Sequence, residues 1–119
     1  MLREFIQSKT FHSQMVGLNA EAEFNDLMNL LVQHPNLGDV IPGTRGLRKI
    51  RMALPGRGKR GGARVIYYDV SDLKRILFLS VYAKNEAEDL TSSQLKKLIK
   101  VRDELVVKLR GNKDVKNTR

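Results

Sequence analysis

Polar and apolar positions alternate along a stretch in the middle of the chain, between residues 47 and 54. Lys49 and Arg51 share one face of this pattern, and apolar side chains occupy the other, which is typical of a half-buried β-strand. The apolar members are Ile50, Met52 and Leu54.

Two further stretches, residues 63–70 and 75–84, are rich in Val, Ile, Tyr and Phe. The connection between them, residues 71–74, is short enough to make them antiparallel neighbours. A glycine-rich loop joins the first of these strands to the alternating stretch before it, so we expect a β-hairpin followed by a third strand. Pro42 and Gly43 suit the two central positions of a type II turn that leads into the hairpin.

Helical periodicity precedes this sheet. After a short predicted strand at residues 3–6, Ser8 is the expected N-cap of a brief helix that ends at Gly17. Asn19 is the expected N-cap of a second helix, which stops before Pro35. The apolar positions of this second helix repeat at steps of three and four residues and are Phe24, Leu27, Met28 and Leu31.

A third helix follows the sheet and has the clearest start signal. Thr91 and Gln94 form a capping box, and Gly111 is the expected end of the helix. Residues 1–110 are therefore predicted to form a single domain, with residues 111–119 as a disordered basic tail. The apolar stripe of the helix is Leu95, Leu98, Ile99, Leu105, Val106 and Leu109.

Composition restricts the partners that this chain can bind more than it restricts the fold that the chain can adopt. The 119 residues carry a formal net charge of +9, which favours nucleic acid or an acidic protein as partner. The absence of cysteine excludes disulfides and thiolate metal sites. The first residues offer no apolar run for secretion or membrane insertion, so we expect a cytoplasmic protein without a membrane partner.

The positive charge is concentrated in the predicted hairpin. No acidic residue occurs between Asp39 and Asp69, a region that holds eight cations. Cations within strands have a fixed spacing, which lets them position a phosphate, whereas cations on the glycine-rich loop are expected to make nonspecific phosphate contacts or to be solvated. The eight are Arg45, Arg48, Lys49, Arg51, Arg57, Lys59, Arg60 and Arg64.

Other chemical patterns are better explained by structure. The glycine-rich loop lacks the Ser or Thr that follows the lysine of a nucleotide-binding loop, because Arg60 follows Lys59. His12 and His34 lie on different segments and would form a paired-histidine nuclease only through tertiary contact. Three acidic residues precede a helix N-terminus, where the helix dipole favours them without a metal: Glu86, Glu88 and Asp89. No metal or other cofactor is expected.

Four ordered motifs together resemble the HigB-like branch of the RelE/ParE toxins, in a match that covers about residues 20–105. They are LGDVIPGT at 37–44, GLRKIR at 46–51, GRGKRGGARVIYY at 56–68 and YAKNE at 82–86. The resemblance implies an α+β fold, with a small antiparallel β-sheet packed on two N-terminal helices and a C-terminal helix. It also implies a bacterial type II toxin, a ribosome-dependent endoribonuclease (an mRNA interferase) that cleaves translated mRNA in the A site and is neutralised by a HigA-like helix-turn-helix antitoxin.

The family's phosphate-handling residues carry over onto Lys49, Arg51, Arg64 and Lys84. In the implied reaction the RNA 2′-hydroxyl attacks the adjacent phosphate without a metal ion. Arg64 would stabilise the developing charge, Lys49 or Lys84 would transfer a proton, and Arg51 would position the substrate. The residues expected to bind RNA or the ribosome are Arg45, Arg48, Arg57, Lys59, Arg60, Tyr68 and Tyr82.

The sequence departs from the family at three positions. Arg45 stands where related sequences usually have glycine. RelE-type members have an arginine directly after the third strand and a C-terminal tyrosine, whereas here Asn85 follows Lys84 and the C-terminal segment has no tyrosine. The general acid and the base-stacking partner therefore stay open, with Tyr68 and Tyr82 as candidates for stacking. Two other functions also stay open: poisoning of gyrase, found on the same fold, and noncatalytic RNA binding.

Overall fold

The computed structural model describes residues 3–56, 58–84 and 89–118, and the side chains of residues 58–60 and 112–118 lie outside this description. The order of elements agrees with the predicted α+β class. In chain order they are β1 (Glu4–Gln7), α1 (Lys9–Leu18), α2 (Glu21–Gln33), β2 (Asp39–Val40), β3 (Arg48–Leu54), β4 (Gly58–Val70), a 3-10 turn (Ser71–Leu73), β5 (Arg75–Ala83) and α3 (Ser92–Thr118).

The strands form one five-stranded sheet in the order β1-β5-β4-β3-β2. The pairs β3–β4 and β4–β5 are antiparallel, as predicted from the hairpin and the short connection after it. The sheet as a whole is mixed, because β1 pairs in parallel with the first half of β5. On the other side, the two residues of β2 cover only the start of β3, so most of β3 forms an edge of the sheet.

Helices α1 and α2 pack on one face of the sheet. Phe11, Phe24 and Phe78 meet there, with ring centroids 4.8 to 5.3 Å apart. Aromatic pairs at this spacing add to the stabilisation from burial. The alternation in β3 is confirmed, since its apolar face belongs to this core. Other members of the core are Met15, Leu27, Leu31, Met52, Leu54, Val65 and Tyr67.

Helix α3 packs on the opposite face. Its Leu98 is buried against a second apolar cluster, as the predicted stripe requires. Sheet residues of this cluster are Leu47, Ile66, Val70, Leu77, Leu79 and Tyr82. Helix α3 packs against β5, so it leaves the β3 side of this face for the cationic side chains described below.

The N-terminal helix boundaries correct one prediction. Ser8 caps α1 as expected, with its Oγ accepting a hydrogen bond from the Phe11 N–H at 3.1 Å. The helix runs one residue beyond Gly17, and Asn19 follows as its C-cap with φ 55°. Asparagine tolerates this left-handed conformation better than most residues. The prediction that Asn19 caps α2 is therefore wrong, and Ala20 holds that position without a side-chain bond.

The capping box of α3 is confirmed, but the predicted end of the helix is wrong. The Gln94 N–H donates to Thr91 Oγ1 at 3.1 Å, and Gln94 Oε1 accepts from the Thr91 N–H at 2.8 Å. The helix passes through Gly111 and ends at Thr118. A glycine inside a helix costs only about 1 kcal/mol relative to alanine, and no proline follows to enforce an end. Disorder of residues 111–119 in solution stays a prediction.

A buried tyrosine fixes the segment between α2 and β3. The Tyr67 hydroxyl accepts a hydrogen bond from the Gly38 N–H at 2.9 Å and donates one to the Pro35 carbonyl at 2.8 Å. Burial raises the pKa of this hydroxyl, so it stays protonated and can donate. A Cβ at Gly38 would lie 2.8 Å from the Tyr67 ring, so only glycine fits there. Further along the segment, Gly43 has φ 78°, as the predicted type II turn requires.

Candidate active site

Two arginines lie directly opposite each other on the sheet. Arg51 of β3 and Arg64 of β4 are Cα partners in the antiparallel pair, and Arg64 is in turn opposite Tyr82 of β5. Tyr82 belongs to the apolar cluster under α3, so this row of side chains is on the α3 face. Within the described part of the chain, neither arginine has an acidic ion-pair partner. Like charges directly opposite in a sheet are destabilising, so the pair requires an explanation.

Lys49 extends the row of cations along β3. It lies two residues before Arg51 and therefore on the same face of the strand. A groove with a volume of about 650 Å³ lies along the open edge of β3 and brings Lys49, Arg51 and Arg64 together. Because the groove passes around this edge, Glu23 and Asp26 of α2, on the other face of the sheet, also contribute to its lining. Three of the four residues predicted to be catalytic thus line one groove.

Lys84, the fourth of these residues, does not line the groove. Its side chain is exposed at the end of β5, and its backbone N–H donates to the Gly62 carbonyl at 2.9 Å. Gly62 is two residues before Arg64, so Lys84 lies at the same end of the sheet as the paired arginines.

Tyr82 contributes a buried hydroxyl beside Arg64. The residue is 9% exposed, and its hydroxyl has no hydrogen-bond partner among the described residues. Burial raises the pKa of the Tyr82 hydroxyl, the carboxylate of Asp89 raises it further, and the charge of Arg64 opposes the rise. The hydroxyl is therefore protonated at neutral pH.

Arg48 has a different position from its neighbours in the sequence. It lies opposite Tyr67 in the β3–β4 register and so is on the face away from Lys49. Its guanidinium donates to the Gly38 carbonyl at 2.6 Å and to the Asn36 carbonyl at 3.1 Å. These bonds hold the segment after α2. Arg48 is not brought into the cationic row, and RNA binding by it stays a prediction.

Arg45 lies in the turn before β3 with φ 55°. This left-handed conformation favours glycine, which gives a physical reason for the glycine of related sequences at this position. The Arg45 guanidinium forms an exposed ion pair with Asp103 at 3.2 Å. Arg45 is therefore tied to α3 and lies outside the groove.

Tyr68 is half-buried beneath a side chain that sequence reasoning did not identify. The Arg102 guanidinium carbon lies 4.6 Å from the centre of its ring. One ring face is thus already covered, which leaves only the other for the predicted stacking on an RNA base. Tyr82, in comparison, is buried in the row with Arg64.

The loop cations lie outside the described residues. Arg57 is not described, and neither are the side chains of Lys59 and Arg60. Their predicted contacts with RNA stay predictions. In the part of the chain that is described, no group of three His, Cys, Asp or Glu side chains is arranged to hold a metal ion.

Two residues of the site region were missed from the sequence. Asp89 was interpreted only as a helix-dipole acid, yet its Oδ1 lies 3.2 Å from Lys49 Nζ. Arg102 is 3% exposed and donates to the carbonyls of Thr44 and Arg45 at 3.1 and 3.2 Å. A signal for Arg102 was present, because it stands between Leu98 and Leu105 on the apolar stripe of α3, where a charge needs partners.

Comparisons with known proteins agree with this fold. The chain is similar over most of its length to a solved structure of the E. coli toxin RelE, a double arginine-to-alanine mutant in the free state. The TM-score is 0.60 at 15% sequence identity, and the match covers 82% of this chain and 97% of that chain. This likeness confirms the RelE-like α+β fold.

A family model also matches the chain. It describes the RelE toxin of the RelE/RelB toxin–antitoxin system and matches residues 38–113, which contain the hairpin, the cationic row and most of α3. Across the described ranges, no helix has both the length and the apolar character needed to cross a membrane. With its fold and more than half of its sequence matched, the chain belongs to the RelE toxin family.

Proposed function

We propose that this protein is a HigB-like toxin that acts as a ribosome-dependent endoribonuclease, cleaving translated mRNA in the A site and so inhibiting translation. The observation that carries the proposal is the position of Arg51 directly opposite Arg64. Such a pair lowers the stability of the sheet. A bound polyanion would stabilise it, and RNA is the polyanion that the toxin family suggests.

The proposed reaction uses a nucleophile from the substrate. The RNA 2′-oxygen forms a bond to the adjacent phosphorus while the bond from phosphorus to the 5′-oxygen breaks. The 2′-hydroxyl loses its proton to a base, and the leaving 5′-oxygen gains a proton from an acid. The products are a 2′,3′-cyclic phosphate and a 5′-hydroxyl. The protein then has to supply a base, an acid and charge stabilisation, and in this proposal no metal ion takes part.

The residues of the groove suit these roles. Arg64 is assigned to the charge that develops on the phosphate, because a guanidinium binds two oxygens in a planar fork. Arg51 positions the substrate, and Lys49 or Lys84 transfers a proton. Lys49 is favoured for direct contact because it lines the groove together with both arginines. Tyr82 adds a protonated hydroxyl beside Arg64.

The proposed partners are the ribosome, the mRNA and an antitoxin. The family description supports an antitoxin, and we propose a HigA-like helix-turn-helix protein for this role. The net charge of +9 supports contact with ribosomal RNA, in which Arg45, Arg57, Lys59 and Arg60 are proposed to take part.

Cleavage on purified ribosomes tests the proposal. Ribosomes stalled with a defined codon in the A site would be incubated with the wild-type protein or with Arg64→Ala, and the 5′ ends of the mRNA fragments mapped. We expect 5′-hydroxyl ends within the A-site codon for the wild type only. If the mRNA stays intact and a separate assay with gyrase shows gyrase-dependent DNA breaks, gyrase poisoning would replace the proposal. If neither the mRNA nor the DNA is cut, a noncatalytic RNA-binding module would remain.

A further inference from the structure

An acidic side chain already forms an ion pair with one of the cations of the groove. Asp89 Oδ1 lies 3.2 Å from Lys49 Nζ, in an ion pair between the segment before α3 and strand β3. Within the described residues, Asp89 is the one acid paired with a cation of the row formed by Lys49, Arg51 and Arg64. Asp39 is opposite Lys49 on β2 but forms no ion pair with it. An RNA phosphate that approaches Lys49 must therefore compete with Asp89.

The carboxylate of Asp89 is held by the short segment that leads into α3. The same Oδ1 accepts a hydrogen bond from the Leu90 N–H at 3.2 Å. Two residues later the capping box of Thr91 and Gln94 fixes the first turn of the helix, and Leu98 anchors that helix on the sheet. The ion pair thus joins the segment before α3 to β3. The first is held by the start and packing of the helix, and the second by its pairing in the sheet.

The pair is also open to exchange. The Asp89 side chain is 73% exposed and that of Lys49 is 33% exposed. Exposed ion pairs contribute little to stability, so a phosphate held by further contacts to the arginines can displace the carboxylate. A phosphate without those contacts competes at a disadvantage.

We propose that Asp89 is a displaceable counter-ion of Lys49, which weakens the binding of RNA that is not held in the groove by other contacts. The inference rests on the proposed function in that it takes RNA as the ligand of the groove. Asp89 then determines specificity, because it disfavours free RNA relative to RNA that the ribosome presents. Selection against a wrong ligand by a repulsive charge is a common device in specific binding sites.

Binding of free RNA tests this inference directly. The probe is a short fluorescein-labelled single-stranded RNA, and its anisotropy gives the dissociation constant at several salt concentrations. We expect Asp89→Asn to lower the dissociation constant by about 1.5- to 5-fold, which is the range for an exposed ion pair. The log–log salt slope should steepen by about 0.7, because Lys49 then contributes one full phosphate contact. The asparagine keeps an oxygen that can accept from the Leu90 N–H, so the variant should fold.

Glu4→Gln is the matched control for the change in net charge. Glu4 is 72% exposed and pairs with Arg75 at the other end of β5, far from the groove. A gain in affinity with Asp89→Asn that does not exceed the gain with Glu4→Gln would overturn the inference, since it would reflect net charge alone.

A double-mutant cycle with Lys49→Gln separates two effects on RNA binding. One comes from the ion pair of Asp89 with Lys49, and the other from the overall charge of the protein. In the Lys49→Gln background, Asp89→Asn should improve RNA binding no more than Glu4→Gln does. A gain that persists without Lys49, or an absence of measurable RNA binding in all variants, overturns the inference. Loss of ribosome-dependent cleavage in the wild type, with the expected cycle for RNA binding, would instead refute the proposed function and leave this inference standing.

Discussion

The guanidinium of Arg102 lies over the ring of Tyr68, with 4.6 Å between its central carbon and the ring centre. The same group donates to the Thr44 and Arg45 carbonyls, so one buried side chain joins α3 to the turn before β3. The turn leads directly into the strand that carries Lys49 and Arg51, which makes Arg102 a support of the groove.

Replacing Arg102 tests this support. Arg102→Ala leaves the buried Thr44 carbonyl and the partly buried Arg45 carbonyl without their donors and should lower the free energy of unfolding by about 2 to 4 kcal/mol, measured by urea denaturation. Asp103→Ala is the control, because it removes the half-exposed carboxylate that pairs with Arg102 and Arg45 but leaves the bonds from Arg102 to the turn, and it should cost less than about 1 kcal/mol. Equal losses for the two variants would mean that the ion pair, and not the bonds to the turn, holds α3.

Arg64 should be required for chemistry. Arg64→Ala should lower the rate of single-turnover cleavage on purified ribosomes by about 10² to 10³, the loss typical of one preorganised charge-stabilising donor. Arg64→Lys should keep only weak activity, because an ammonium cannot bind two oxygens in a fork. Arg75→Gln, at the far end of β5, should cleave like the wild type. If folded Arg64→Ala cleaves within about threefold of the wild type, the assignment fails.

Replacing Arg64 should raise the stability of the protein although it lowers the activity. Arg64→Gln removes a charge directly opposite Arg51 and keeps a long polar side chain. We expect the free energy of unfolding to rise by about 0.2 to 1 kcal/mol, as for the removal of like charges facing each other in a sheet. Chemical denaturation in low salt measures the difference. A lower free energy of unfolding for the variant would show that Arg64 packs favourably in the free protein and that the Arg51–Arg64 pair does not destabilise the sheet.

Leu98 should contribute to the core under α3. Leu98→Ala should lower the free energy of unfolding by about 2 to 5 kcal/mol, because the residue is buried against the sheet. Val107 is on the same helix but is 68% exposed, so Val107→Ala should change stability by less than about 0.5 kcal/mol. Similar effects of the two substitutions would contradict the packing of α3 on this face.

The left-handed backbone at Arg45 predicts a difference between two small replacements. Both Arg45→Gly and Arg45→Ala lose the exposed pair with Asp103. Only glycine relieves the strain of φ 55°, so Arg45→Gly should be more stable than Arg45→Ala by about 1 kcal/mol in thermal or urea unfolding. If the alanine variant is the more stable, the turn changes conformation when the arginine is removed.

Asp69 predicts an unusual dependence on pH. Burial raises the pKa of its carboxyl, although Arg3, at 3.1 Å, and Arg48 oppose the rise. The native state therefore takes up a proton at higher pH than the unfolded chain. The stability that Asp69 contributes is complete below the unfolded pKa and is lost as the pH rises through the folded pKa.

Comparison with Asp69→Asn isolates this contribution. Urea unfolding of both proteins from neutral pH down to about pH 4 should show the wild type gaining stability relative to the asparagine variant as the pH falls. A relative loss for the wild type would mean that attraction to Arg3 outweighs burial.

The fold was predictable from local patterns, and the site only partly. The period of two in β3 and the capping box at Thr91 concern residues close in sequence, and both were confirmed. Asn19 was assigned to the wrong helix end, because asparagine suits an N-cap and a left-handed C-cap alike. The contacts of Asp89 with Lys49 and of Arg102 with the turn join residues more than 35 positions apart. The spacing of apolar residues along the chain does not predict contacts between residues so far apart.

The fit of Gly38 against Tyr67 has a consequence for the shape of the groove. Gly38 lines the groove, and its backbone is fixed by a core side chain that leaves no space for a Cβ. One wall of the groove is therefore rigid and has no rotamers with which to adapt to a ligand. The lining from α2 carries Glu23 and Asp26, whose side chains can move and can be exchanged without disturbing the core. Engineering of ligand selectivity in this protein should begin on that helix.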